Sequence, residues 1–425
     1  MSVRGVLTRT FSSLSVRNYR LYFIGQVTSL AGTWTQQVAQ VLLVLKLTDS
    51  GTALGFLVAL QFVPVLVLGP WAGVLSDRVP KRRLLMVTQS SAGLAALTLG
   101  VLVATGSIQL WMVDCLAFWL GLSQAFDNPA RQSFVSEMVG VDRLANAVSL
   151  NAVMVNLARI VGPAIAGLLI ITSGLSACFF VNAASYLAVI TSLALMRSSE
   201  LALVERSTTR PSLREGFAYV RRTPEVLYPL LLMAVVGLFA YEFTVSLPLL
   251  AKRTFHDANI FGVMSVLQGA GAVIGGLVVA MRYRARGPLV LSYVSLVFGA
   301  FVLLVAAAPT LPLALVFIVP MGAASISFIS IGNTIVQTSA DPSMRGRVMA
   351  LWSVAFMGST PIGGPLVGWL ADQFGARSGV AIGGIAAIVA GLVVAPSLRR
   401  VGDNRASAPT SRARPAPNPA SAPVA

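Results

Sequence analysis

Gly73-Val74-Leu75-Ser76-Asp77-Arg78-Val79-Pro80-Lys81-Arg82-Arg83 joins two long apolar runs, residues 52–76 and 84–105. Each run is about the ~20 residues that a helix needs to cross the hydrocarbon core of a bilayer. The glycine lets helices approach closely. The aspartate stands at a turn where it can accept hydrogen bonds from the exposed amides at a neighbouring helix N-terminus. The basic cluster suits an anionic inner leaflet. The stretch therefore reads as a basic loop between two membrane spans.

Outward from that loop the pattern repeats. Twelve spans are expected, at 21–46, 52–76, 84–105, 108–130, 146–172, 175–197, 227–250, 259–281, 288–308, 311–337, 347–371 and 378–396. Turn signals separate them, among them Asp49-Ser50-Gly51, Gly106-Ser107 and Ser173-Gly174. Backbone polar groups in hydrocarbon must be satisfied within their own segment, so the spans are helices. The 425 residues are 56% hydrophobic and only 11% charged, against about 25% charged in soluble domains. A soluble enzyme, a disulfide scaffold and a disordered chain are excluded. Cys115 and Cys178 both lie inside apolar runs, and His256 is the only histidine, so no metal site, catalytic triad or cofactor is expected.

Charge placement fixes the expected orientation. The chain has 31 Lys and Arg against 15 Asp and Glu. With both termini inside, only Lys46, Lys252, Arg253 and Arg377 fall outside and Arg159 falls within a span, leaving 26 of the 31 on the cytoplasmic side. The net charge of +16 is thus a topological signal rather than a sign of nucleic-acid binding. Residues 198–226 form the longest polar connection and divide the chain into a cytoplasmic segment 1–20, a six-helix bundle 21–197, a cytoplasmic middle loop, a second six-helix bundle 227–396 and a disordered tail 397–425. Leu213 to Arg222 within the loop reads as an amphipathic helix. A shift of 202 brings Arg143 onto Arg345 and Gly162-Pro163 onto Gly364-Pro365, as parallel repeats about an axis along the membrane normal require. Arg outnumbers Lys 28 to 3, a composition of GC-rich bacterial genomes, so the expected place is a bacterial inner membrane.

The loop at 73–83 resembles the signature loop of the major facilitator superfamily, and the resemblance implies a gate loop with Gly73, Asp77, Arg78, Lys81, Arg82 and Arg83 as its working residues. Gln124-Ala125-Phe126-Asp127-Asn128-Pro129-Ala130-Arg131-Gln132, Arg143-Leu144-Ala145-Asn146-Ala147, Leu247-Pro248-Leu249-Leu250-Ala251 and Arg345-Gly346-Arg347-Val348 are similar to the branch holding the bacterial enterobactin exporter and drug-efflux proteins. Gly162, Pro163 and Gly167 resemble the fifth-helix motif of superfamily antiporters, although plain helix packing also explains them. The resemblance covers roughly residues 12–400 and implies an all-α, twelve-helix fold in two bundles. Spans one, four, seven and ten should line the path, and spans three, six, nine and twelve should be peripheral. It also implies that Asp77 meets the start of span eleven near Arg345 and Arg347 when the cytoplasmic side closes, with Arg131 as a further counter-charge.

Intramembrane charges are costly and mark function. Asp114, Arg159 and Glu242 are the proton-coupling candidates. At 1.5 Å per residue, Glu242 stands ~20 Å from the inner end of its helix and Asp114 ~9 Å from the outer end of its own. Asp114 and Arg159 can also be read as a static salt bridge. Glu242 lacks a basic partner at its depth, and a carboxyl in an apolar cavity can carry a proton. Gln26, Trp34, Gln36, Gln37, Gln40, Gln61, Asn151, Asn156, Tyr241, Gln268, Asn333 and Gln337 mark a cavity for a bulky amphipathic solute. The chain also lacks the phosphate-binding loop of an ATP motor. The expected function is therefore proton-driven export of small molecules such as drugs or siderophores, by a monomer in contact with membrane lipids. An importer or facilitator of the same fold is one alternative, and a non-transporting receptor or scaffold is another.

Overall fold

A computed structural model describes residues 12–201, 213–282 and 288–407, without the side chains of Pro70, Asp77, Val141, Leu213, Arg214, Arg282 and residues 403–407. The first eleven residues, part of the middle loop and the tail beyond 407 lie outside the described residues. The first half comprises α1 (Arg17–Thr48), α2 (Gly51–Arg78), α3 (Lys81–Ala104), α4 (Leu110–Val139), α5 (Val141–Ser173) and α6 (Leu175–Ala194). A short α7 (Leu213–Arg222) follows on the connection. The second half comprises α8 (Pro224–Ala240), α9 (Phe243–Leu249), α10 (Ile260–Arg282), α11 (Leu289–Ala307), α12 (Leu311–Ser339), α13 (Arg345–Met357), α14 (Thr360–Phe374) and α15 (Ala376–Ser407).

The seventh passage is broken. α8 and α9 are joined through Tyr241 and Glu242, and a π-helical turn over Leu250–Thr254 completes it. The eleventh consists of α13 and α14. Counting each as one gives twelve passages among the described residues. Among the described residues ten of these passages, each broken one counted as one, are long and apolar enough to cross a membrane. The two remaining passages, α1 and α4, have 32 and 30 residues. They fall short in apolar character, not in length, because they carry Gln26, Gln36, Gln37, Gln40, Asp114 and Asp127. α15 continues past the expected end at 396 because nothing breaks the helix after Pro396.

Close backbone packing builds each half, as expected where lipid is as apolar as the side chains. A Cβ at Gly121 of α4 would collide with the Gln61 carbonyl of α2, and one at Gly322 of α12 would collide with the Gln268 carbonyl of α10. These are equivalent contacts in the two halves. Likewise α6 packs on α1 and α3, as α15 packs on α8 and α11. The repeat suggested by a few aligned residues is thus carried by glycines at matching crossings.

The start of α1, the end of α15 and α7 lie at one end of the bundle, called here the terminal end; Asp49 and Asp372 mark the far end. α7 covers the expected amphipathic stretch and docks on α13, where Glu215 pairs with Arg347 at 2.9 Å. The Tyr219 hydroxyl accepts the Asp341 amide at 3.0 Å.

Candidate functional site: a cavity between the halves

The two halves enclose a cavity of about 580 Å³. Trp34, Gln36, Gln37, Gln40, Gln61, Tyr241 and Gln268 line it, together with Arg159, Glu242, Pro163 and Arg131. Gln26 does not: it is 1% exposed and buried inside the first half. Asn151, Asn156, Asn333 and Gln337 are also absent from the lining. Asn156 donates to the Ala152 carbonyl on its own helix, and Gln337 donates to Asn333 one turn back. An amide four residues from a carbonyl on the same helix face finds a partner locally, so polarity alone did not place Asn156, Asn333 and Gln337 on the path.

The peripheral role expected of spans three and six needs correction. Thr88, Gln89 and Ala92 of α3 and Asn182 and Tyr186 of α6 line the cavity, whereas α11 and α15 contribute nothing to it. Asn182 also donates to Gln36 at 2.7 Å, tying α6 to α1.

The walls differ in chemistry. The first half presents amides and a buried ion pair, Asp127 with Arg131 one turn on. Asp127 is 3% exposed and also accepts from Thr88 at 3.0 Å and Gln89 at 2.7 Å. Every lone pair thus used offsets part of the cost of burying the charge. Sequence reasoning missed Asp127 as a site residue, although an aspartate and an arginine four apart on a helix is the signal that could have found it. Arg131 serves this pair; as for the latch expected of it, the Asp77 side chain lies outside the described residues.

The second half presents rings. The Tyr241 ring lies 5.2 Å from Phe356, 5.3 Å from Phe298 and 6.0 Å from Phe243, and its hydroxyl donates to the Ser325 carbonyl at 2.6 Å. Beside it the helix break leaves Glu242 as the cap of α9, its carbonyl accepting the Val245 and Ser246 amides. The Glu242 side chain is 3% exposed and Oε1 has no hydrogen-bond partner. It packs against bare backbone, since a Cβ on Gly363 would come within 2.8 Å of Oε1 and one on Gly364 within 3.6 Å of Oε2.

Arg159 stands over the Trp34 ring at 5.4 Å from its centroid. Pro163 removes the amide that would bond the Arg159 carbonyl in the helix, and that carbonyl faces Gly269 of α10. Gly162 packs on Trp34, while Gly262 of α10 approaches Pro163 and Gly167. Of the Gly162-Pro163-x-x-x-Gly167 stretch, Pro163 and Gly167 thus face α10 of the other half, while Gly162 packs on α1 of its own half. The salt bridge considered for Asp114 and Arg159 is not formed. Asp114 lies off the cavity with Oδ1 buried and unpartnered.

At the far end the halves are locked together. Asp372 caps α2, accepting from the Gly51 and Thr52 amides at 2.7 and 2.8 Å and from the Ser50 and Thr52 hydroxyls at 3.0 and 2.7 Å. Below that cap, Gly51 and Gly55 of α2 press on Gly368 and Gly364 of α14. Arg253 binds Asp372 at 2.8 Å and the Asp49 carbonyl, and Lys252 pairs with Asp49 at 2.8 Å. This lock was also missed; its trace is the four-residue spacing of Gly364, Gly368 and Asp372 opposite Gly51 and Gly55.

At the terminal end the gate-loop cations hold their own half. Lys81 pairs with Glu137. Arg82 donates to the Leu193 and Ala194 carbonyls at 2.6 and 2.8 Å, a cation at a helix C-terminus. Arg78 and Arg83 are exposed, and a Cβ on Gly73 would meet nothing within 4 Å. Arg345 donates to the Gln337 carbonyl at 2.9 Å and Arg347 serves α7.

Comparison with known proteins agrees with this architecture. The chain matches the family described as transmembrane secretion effector over residues 8–422. It is 29% identical over 371 residues to the multidrug efflux pump Tap of Mycolicibacterium fortuitum, covering 84% of this chain and 89% of that one. It is 26% identical over 396 residues to the enterobactin exporter EntS of Shigella flexneri, covering 90% and 92%. The crystal structure of the nucleoside transporter NupG superimposes with a TM-score of 0.73 at 12% identity, covering 90% of this chain and 99% of that one; that likeness shows the fold. The chain belongs to the transmembrane secretion effector family of the major facilitator superfamily and is a multi-pass membrane transporter, not an enzyme.

Proposed function

We propose that the protein exports small amphipathic molecules across a bacterial inner membrane in exchange for protons, with both termini in the cytoplasm. The observation that carries this reading is Glu242. A carboxyl with an unpartnered oxygen stands in the cavity wall, at a break in its helix, against the glycines of α14 that bear the far-end lock. A proton arriving there changes the charge beside the Gly55–Gly364 crossing, which ties protonation to opening and closing of the halves. Release of the proton to the cytoplasm and return of the empty carrier complete the cycle. No cofactor takes part, and a single chain with its surrounding lipid suffices. Asp77 remains the proposed latch of the cytoplasmic end, acting when the far end opens. The efflux and siderophore-export activities of the two relatives support the outward direction.

The test is proton movement in inverted vesicles whose lumen has been acidified. Addition of a transported compound should relieve the quench of a pH-sensitive dye. Glu242→Gln should lower that response by roughly 100-fold or more, the scale expected when an obligatory proton-transfer group is removed. A response that survives in the variant moves the coupling elsewhere. Absence of any response across siderophores, dyes and antibiotics contradicts proton antiport.

A further inference from the structure

The cavity holds two arginines in unlike situations. Arg131 is matched by Asp127, and its charge is spent within the first-half wall. Arg159 is not matched. Its Nε is buried without a hydrogen-bond partner, and none of the ion pairs among the described residues includes it. It lies over the face of Trp34, which holds a guanidinium in place without using its hydrogen-bonding fork. A half-buried cation lacking a counter-ion is costly, and a planar fork with five donors is shaped for an acidic group. Glu242, the acid in the opposite wall, forms no ion pair among the described residues and packs instead on Gly363 and Gly364. Across the cavity stand Tyr241, Phe243 and Phe356, with Tyr241 fixed by its bond to Ser325.

We propose that Arg159 anchors an acidic group of the cargo, and that the aromatic wall takes a ring attached to it. The preferred cargo is therefore an aromatic acid rather than a lipophilic cation. This deepens the exporter reading and rests on it for the cargo's passage, but the anchor itself is an equilibrium property of the cavity. Trp34 keeps the guanidinium oriented while the site is empty. The contact of Gly162 with Trp34 and of Gly269 with the Arg159 carbonyl then places the anchor on the α5–α10 seam, where a bound anion touches the surface along which the halves move.

The experiment uses the full chain in nanodiscs and three fluorescent probes of nearly equal size: dansylglycine, its methyl ester and dansylcadaverine. The acid should bind at least about tenfold more tightly than the neutral ester, the scale of a charge-assisted bidentate pair. The cation should bind least. Arg159→Gln should bring the acid to the level of the ester while leaving the ester within about twofold, whereas a purely structural arginine would weaken both together. Arg159→Lys keeps the charge and loses the fork, so its acid preference should be intermediate. Equal binding of acid and ester by the wild type, preference for the cation, or no binding of dansylglycine would each overturn the proposal without requiring any variant to fold. The two readings separate cleanly. Arginine-dependent binding of the acid without its transport in vesicles keeps the anchor and sinks the exporter; transport of dansylcadaverine by a protein that does not bind dansylglycine does the reverse.

Discussion

The two ends of the molecule use their polar residues in opposite ways. At the far end one set of hydrogen bonds and ion pairs runs from half to half: Asp372 to the start of α2, Arg253 and Lys252 to Asp49 and Leu45. At the terminal end they stay within a half, as with Lys81 and Glu137, Arg82 and Leu193, Arg347 and Glu215, and Asn18 and Arg197. The difference shows which end is held shut. The cavity lies on the terminal side of a glycine crossing, and opening it the other way requires that crossing and its carboxylate cap to come apart. The terminal-end bonds have no part in that step, because each moves with its own half.

This contrast can be broken deliberately. The largest effect is expected from Gly368→Leu. Its Cβ alone would collide with the Gly51 carbonyl, and overpacking of this kind typically costs about 1–3 kcal/mol. That corresponds to roughly a 5- to 150-fold shift away from the far-closed state. It would be read as faster labelling of a cysteine placed at Thr360 by a membrane-impermeant maleimide applied from the far side. Asp372→Asn comes next. It keeps the shape of the cap but loses the charge from bonds to two amides, two hydroxyls and Arg253, for an expected shift of about 1–2 kcal/mol. Arg253→Gln should move the same equilibrium by only about twofold, since a partly exposed ion pair is worth less than 1 kcal/mol. Lys81→Met, at the terminal end, should leave far-side labelling unchanged while lowering thermal stability in detergent. A far-side response to Lys81→Met as large as that to Asp372→Asn would erase the contrast.

Much of this was legible in the sequence because the bilayer imposes simple rules. Apolar length gave the spans. Glu242, Arg159 and the glutamines of α1 stood out because nothing apolar explains them. What escaped notice depends on pairing. The role of Asp127 shows only once α3 supplies Thr88 and Gln89. The role of Asp372 shows only once α2 supplies two free amides. A helix N-terminus displays its donors only to a neighbour that the fold brings there, and no spacing within one segment reveals that neighbour. The amides at Asn156, Asn333 and Gln337 misled for the converse reason: their bonds close locally. Spans three and six came to line the cavity because the first half turns their polar faces, Thr88–Gln89 and Asn182–Tyr186, inward.

The most direct measurement ties the far end shut. Ser50 and Asp372 meet at 3.0 Å across the lock, so Ser50→Cys with Asp372→Cys, in a background where Cys115 and Cys178 are serine, places a disulfide between the halves. The account predicts that the oxidised protein binds its cargo in nanodiscs but transports none in vesicles, and that reduction restores transport. Undiminished transport by the fully cross-linked protein would contradict it, because cargo would then be crossing without the far end opening.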